Sequence, residues 1–160
     1  MKRITVLSSV ATCALLLFGL VHPAPGQALE LLSNSGFEEG TAHWTVKPGT
    51  AIFDIVTAPV HSGSQAALLT RIGASGYALI QQEVPVSAGQ YYVVGGWALW
   101  NDPSLTSVSL RLGWLDGPGG AEIGRLEVQV SDRSPDWQLV SMGPLPAPAG
   151  VFPRYEAPAE

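Results

Sequence analysis

A chain of 160 residues with a formal charge of −5 and a single cysteine is long enough for one domain that buries most of its apolar surface. The acidic balance argues against nucleic acid, which is held by clustered Lys and Arg neutralising phosphates. One cysteine, Cys13, leaves no disulfide and no thiolate metal site.

The first segment sets the compartment. Lys2 and Arg3 precede an apolar run from Ile4 to Val21, broken by Ser8, Ser9 and Thr12. Pro23, Pro25 and Gly26 then end any helix, and Gly26-Gln27-Ala28 offers small residues for a peptidase. Residues 1–28 therefore read as a cleaved signal peptide outside the fold, and the product as secreted or extracytoplasmic, in a periplasm or at a cell surface. Loss of Lys2 and Arg3 takes the formal charge from −5 to −7. Cys13 lies inside the apolar run rather than just after it, so a lipid anchor is not expected. No later apolar run approaches the ~20 residues of a bilayer span, so no membrane partner is expected after cleavage.

From Leu29 onward, short β-branched and aromatic runs alternate with Gly, Pro, Ser and Asp clusters. The predicted strands are 29–34, 43–47, 51–57, 66–72, 77–86, 90–100, 107–115, 123–131 and 137–142. No segment needs a helix. Strands at this spacing predict an all-β protein, an antiparallel β-sandwich or barrel. Ser87-Ala88-Gly89-Gln90 reads as a tight turn in which Gly89 takes positive φ. Asp116 to Gly120 reads as a looser hairpin tip.

Alternation assigns faces. Between Gln90 and Trp100, one row holds Tyr92, Val94, Gly96, Ala98 and Trp100; the other holds Tyr91, Val93, Gly95, Trp97 and Leu99. Both are apolar, which predicts a central strand covered on each side. Val108, Leu110, Leu112 and Trp114 form one inward row, and Leu126, Val128 and Val130 another. Pro144, Pro146, Pro148 and Pro153 cannot donate to a ladder, so pairing should fade after Met142. The domain is thus read as 29–146, with 147–160 a Pro/Ala-rich tail or a divergent last strand.

Asn34-Ser35-Gly36-Phe37-Glu38-Glu39-Gly40 with Trp44, then His61-Ser62-Gly63-Ser64 leading into Ala66-Ala67-Leu68-Leu69, resembles the start of family-four and family-nine type carbohydrate-binding modules. Gln82 to Gly89 followed by Tyr92 and Gly96-Trp97, Trp114-Leu115-Asp116 with Gly119, and Trp137 before Pro144 continue the resemblance over residues 30–146. The resemblance implies a galactose-binding-like jelly roll without catalytic apparatus, whose partner is a polysaccharide or cell-surface glycan. It also implies a structural calcium ion, with Glu38, Ser62 and Gln65 at the matching positions. Calcium takes six to eight hard oxygens, so a carboxylate with carbonyls is a partial set. The ending departs from the family pattern: Arg154-Tyr155-Glu156-Ala157-Pro158 does not supply the last acidic strand.

Among five tryptophans, Trp114 shares the inward row, and Trp44 and Trp137 occupy family landmarks that pack a sandwich. Trp97 is the candidate sugar platform with Tyr91 beside it on the same row, because an aromatic ring offers a flat apolar face. Gln81 and Arg111 are candidate hydrogen-bond donors to the sugar. Enzyme chemistry finds no support. Glu38 and Glu39 are adjacent, whereas a glycosidase needs two carboxyls facing each other some ~5–10 Å apart. Ser62-Gly63-Ser64 lacks the Gly-x-Ser-x-Gly elbow, and His43 and His61 have no metal-ligand spacing. Two alternatives stand beside sugar binding: a structural or adhesive extracellular domain, and the N-terminal fragment of a secreted glycoside hydrolase.

Overall fold

The computed structural model describes residues 2–6, 29–46, 51–72 and 77–151. These residues form nine strands and no helix: β1 (Lys2–Val6), β2 (Thr45–Val46), β3 (Ala51–Val56), β4 (Ala66–Arg71), β5 (Ile80–Gln81), β6 (Tyr91–Trp100), β7 (Ser109–Leu115), β8 (Glu122–Gln129) and β9 (Ser134–Pro146). One layer is a five-stranded sheet in the order β3-β4-β1-β6-β9; β2 pairs with β5 and β7 with β8 in two smaller ribbons. Every pairing is antiparallel. The all-β sandwich expected from the sequence is the observed architecture.

The layers meet over one main core. The five-stranded sheet contributes Ala51, Ala67, Leu69, Ala98, Trp100 and Val140, and the segments opposite contribute Phe37, Val108 and Val130. Small inward residues on β4 and β6 leave room that the large rings of Phe37 and Trp100 fill, as close packing demands. A second cluster holds Trp114, Ala147 and Val151, with Tyr92 and Leu145 against it.

Several elements differ from the sequence reading. Residues 29–34 form no strand: 29–31 carry no regular structure and 32–34 bend into a turn, where Asn34 takes a φ of 50° and its side chain organises the loop that follows. The strand expected over 77–86 contracts to β5. Beyond it, Pro85 lacks a donor and Gln82 spends its amide on neighbouring loops. β9, by contrast, runs four residues past Met142. Leu145 pairs with Tyr92 and Pro146 with Tyr91, after a register shift that accommodates Gly143 and Pro144. Proline is tolerated here because β9 is an edge strand with a bulge.

Packing continues past residue 146. Ala147 donates to Gln90 O at 2.8 Å and accepts from Gly89 N at 2.8 Å, and Val151 is buried. Residues 152–160 lie outside the described residues, and with them most of the tail or divergent last strand read over 147–160. Leu126, expected inward, is 39% exposed, although its ribbon partner Leu112 packs against the second cluster. The segment set apart as leader contributes β1, which bonds to β4 on one side and β6 on the other.

The turn at Ser87 to Gln90 forms as expected. Gln90 N donates to Ser87 O at 3.1 Å, and Gly89 has a φ of 76°. The Asp116–Gly120 tip closes on itself through Ala121 N to Asp116 Oδ1 at 2.7 Å.

Candidate functional site

β6 has a buried row and an outward row. Gly96, Ala98 and Trp100 are buried on one face; on the other, which Tyr91, Val93, Gly95, Trp97 and Leu99 share, Gly95 is also buried, Val93, Trp97 and Leu99 are half-buried and Tyr91 is exposed. Register places Leu139 of β9 beside Trp97 and Ser141 beside Gly95. Tyr91 is 43% exposed and Leu139, beside Trp97 at the other end of the row, 61%. Tyr91 and Trp97 are six residues apart on one strand, so the row spans about 20 Å.

The rings at one end of that row are grouped. His61, from the loop between β3 and β4, stacks on Trp97 with centroids 3.9 Å apart and planes 16° apart. Trp137 meets His61 edge-on at 5.9 Å. Trp97 is partly buried and its inner side packs against the main core. The loop that carries His61 therefore reaches across the sheet: β4 and β6 are separated by β1, a gap of about 10 Å.

That loop is fastened from the opposite side by Glu38. Ser64 N donates to Glu38 Oε1 at 2.8 Å, Gln65 N to the same oxygen at 3.2 Å, and the Ser64 hydroxyl to Oε2. Gly63 has a φ of 69°, and a side chain there would collide with the Glu38 carboxylate. The Ser64 hydroxyl foremost, then the Ser64 and Gln65 N–H groups, hold the Glu38 pKa below its ordinary 4.5 against a weak opposing effect of burial.

The calcium expectation can be set against this geometry. The Glu38 oxygens face three donors, and N–H groups cannot line a cation cage. Ser62 and Gln65 add no second carboxylate, and among the described residues no three His, Cys, Asp or Glu side chains gather. As arranged, the cluster is a hydrogen-bonded clasp, and its donor set falls short of the six to eight oxygens calcium takes.

The loop that presents Glu38 is itself ordered by Asn34. Its amide donates to Gly40 O and Ala42 O, both at 2.9 Å, and accepts from Glu39 N at 3.0 Å. Trp44 donates its indole N–H to Asn34 O at 3.0 Å and lies 5.1 Å from the Phe37 ring. Phe37, 1% exposed, carries a φ of 62°. A bulky residue in that region is strained, and burial of the ring offsets the strain.

The four residues expected to contact sugar separate into three places. Trp97 and Tyr91 share the outer row of β6. Gln81 lies on β5 and lines a cavity of about 310 Å³ with Ser33, His43, Thr45, Gln82 and Glu83. Every residue lining it carries a polar side chain. Gln82 spends its amide there on Ser33 N at 2.7 Å, Ser33 O at 2.9 Å and His43 O at 3.0 Å. Arg111 lies on the β7–β8 ribbon, bound to Glu122 at 2.5 Å. The sequence reading placed no ligand role on His61, Trp137 or Leu139. His61 lies 36 positions from Trp97 and on another element, so no spacing signals their contact.

A family model described as a carbohydrate binding domain, CBM_4_9, matches residues 29–142, and the chain belongs to that family. No curated protein and no solved structure matches it.

Proposed function

We propose that this carbohydrate-binding module is exported, lacks catalysis, and holds a polysaccharide segment along the outer face of β6 and β9. The observation that carries the reading is the outer face of β6 and β9, where Tyr91 and Leu139 are exposed and half-buried Trp97 stands beside Leu139 under His61, on a sheet whose opposite side is a closed core. Flat apolar rings along about 20 Å of strand suit an extended glycan, whose sugar faces present C–H bonds to an aromatic surface. The hydroxyls of such a ligand stay wet on an open face, so affinity is micromolar or weaker. Polar partners come from Ser141 and the His61 loop rather than from Gln81 or Arg111, which lie elsewhere.

The test is affinity electrophoresis and calorimetry against soluble glucans, xylans and mannans. Binding to at least one polymer supports the reading; a folded protein that ignores the whole panel overturns it. A second reading, a structural or adhesive domain on the same framework, is favoured by one observation: His61 covers a face of the Trp97 indole, whose inner side packs on the core. Trp97→Ala separates the two. Sugar binding lost with folding intact supports the first, and lost folding alone the second.

A further inference from the structure

The β2–β5 ribbon has an inner side and an outer side. Val46 and Ile80, partners in register, pack against the main core. Alternation turns their neighbours Thr45 and Gln81, also paired, away from that core. The cavity that Gln81 lines with Ser33, His43, Thr45, Gln82 and Glu83 therefore lies on the outer side of the ribbon. The Tyr91–Trp97 row lies on the five-stranded sheet, so the two features share no strand. We propose that this cavity is a second ligand site, which takes one neutral polyol of the size of a single sugar.

The fold fixes the walls without using up their chemistry. Gln82 is the fastener: its amide accepts from Ser33 N at 2.7 Å and donates to Ser33 O at 2.9 Å and His43 O at 3.0 Å. One side chain thus holds the segment around Ser33 and the residue before Trp44 against β5. Glu83 fastens another wall, since its Oε2 accepts from Gly119 N at 2.9 Å and draws in the tip of the β7–β8 hairpin. His43 is held at a φ of 68°, a region uncommon for residues with a side chain and of the kind that marks ligand-holding segments. Ser33 is bonded through its backbone to Gln82, and Gln81 through its carbonyl to the Thr45 hydroxyl at 3.1 Å. Among the described residues nothing else claims the Ser33 hydroxyl, the Gln81 amide or the second Glu83 oxygen.

Those three groups select the ligand. A hydroxyl, an amide and a carboxylate oxygen offer donors and acceptors side by side, which answers adjacent hydroxyls that each donate and accept. No Lys or Arg lines the cavity, and the Glu83 carboxylate repels another, so uronic acids and other anions are disfavoured. A cation finds one carboxylate only, with one oxygen already bonded to Gly119. A volume of about 310 Å³ stands at the small end of the ~300–1,000 Å³ range of small-molecule sites, which limits the guest to one ring rather than a chain. All lining residues but Gln82 are exposed, so water competes for each bond and affinity is millimolar.

The test uses the full chain, isotope-labelled for nuclear magnetic resonance. Glucose, galactose, mannose and xylose are titrated, each free and as its methyl glycoside, with signals read from the Gln81 side-chain amide and the Ser33 and Gly119 backbone amides. At least one sugar should shift these signals saturably in the millimolar range, in the unaltered chain and in Tyr91→Ala alike. Binding of a glycoside as well as the free sugar assigns the site to the end of a glycan chain. Binding of the free sugar alone assigns it to a sugar in solution, and either result supports the cavity. Gln81→Ala leaves the Gln82 fastener in place and should weaken binding by about threefold or more; Ser33→Ala, on another wall, should do the same. Glucuronic acid should bind about threefold or more weakly than glucose, and Glu83→Gln should erase that difference. The absence of a saturable shift for every sugar overturns the site. Shifts that neither Gln81→Ala nor Ser33→Ala weakens overturn it as well, as do shifts that Tyr91→Ala abolishes, because these put the sugar on the outer face of β6. Each of these failures leaves the outer-face reading standing, since that reading is tested by polymer binding through Trp97.

Discussion

Trp44 and Trp97 belong to the same sandwich but are treated differently by their surroundings. In the Asn34–Trp44 loop the indole N–H is spent on Asn34, the ring lies on Phe37, and the loop amides are bonded inward. On β6, Trp97 stands in a row whose neighbours Tyr91 and Leu139 remain open to solvent, and the outer contact it makes is with an exposed histidine. The loop has the sharpest motif of the chain and the outer row has none. The motif is explained by folding: Asn34 and Trp44 bond within the loop, and Glu38 bonds the β3–β4 loop. The outer face is where Tyr91 and Leu139 stay uncovered after folding.

Breaking the loop should cost the most. Phe37→Ala removes the fully buried ring between Trp44 and Phe53, and the expected loss is about 3–5 kcal/mol, measured by urea denaturation. A loss under ~1 kcal/mol would mean that the loop closes without its central ring. The corresponding change on the other side, Trp97→Ala, should leave the far-ultraviolet spectrum intact and weaken polysaccharide binding by about thirtyfold or more, the scale of an aromatic hot spot. Affinity electrophoresis reads it directly.

The difference between the two regions also decides what was legible beforehand. The strands around Ala51, Ala66, Gln90 and Ser107 follow from alternation and punctuating turns, since those are local. The same holds for Trp114, whose parity with Val108 matches its burial. What alternation cannot supply is which loop lands on which strand. His61 reads as a turn residue because its contact with Trp97 depends on how the β3–β4 loop crosses the sheet. Gln81 and Arg111 have suitable chemistry, but they ride on β5 and β7, pieces of other sheets. The long reach of β9 past Met142 was hidden for another reason: proline is judged by its missing donor, and on an edge strand that donor has no partner to lose.

The clasp between the two regions answers to pH. The folded-state pKa of Glu38 is depressed, so its contribution to stability is complete above the unfolded carboxylate value and is lost as pH falls through the folded one. The thermal midpoint of the unaltered protein should drop on acidification below the ordinary 4.5, and Glu38→Gln should flatten that part of the profile while lowering the midpoint at neutral pH. Gly63→Ala should mimic the neutral-pH loss, because the added methyl meets the carboxylate and the backbone has a φ of 69°. Calcium or a chelator should leave both midpoints in place, as the carboxylate is already occupied by donors.

The finest probe is His61→Ala. His61 is exposed and its loop is held through Ser64 and Gln65, so its removal should leave folding unchanged. It uncovers one face of the Trp97 indole, and tryptophan emission should shift to the red as water reaches the ring. An aromatic stack is worth about 0.5–1.5 kcal/mol, and a glycan that binds that face must displace it. Affinity should therefore rise about two- to tenfold in the variant, read by calorimetry on whichever polymer the unaltered protein binds. A fall in affinity with the same red shift would assign His61 to the sugar site itself, as a second wall facing Trp97, and would turn the cover into part of the groove.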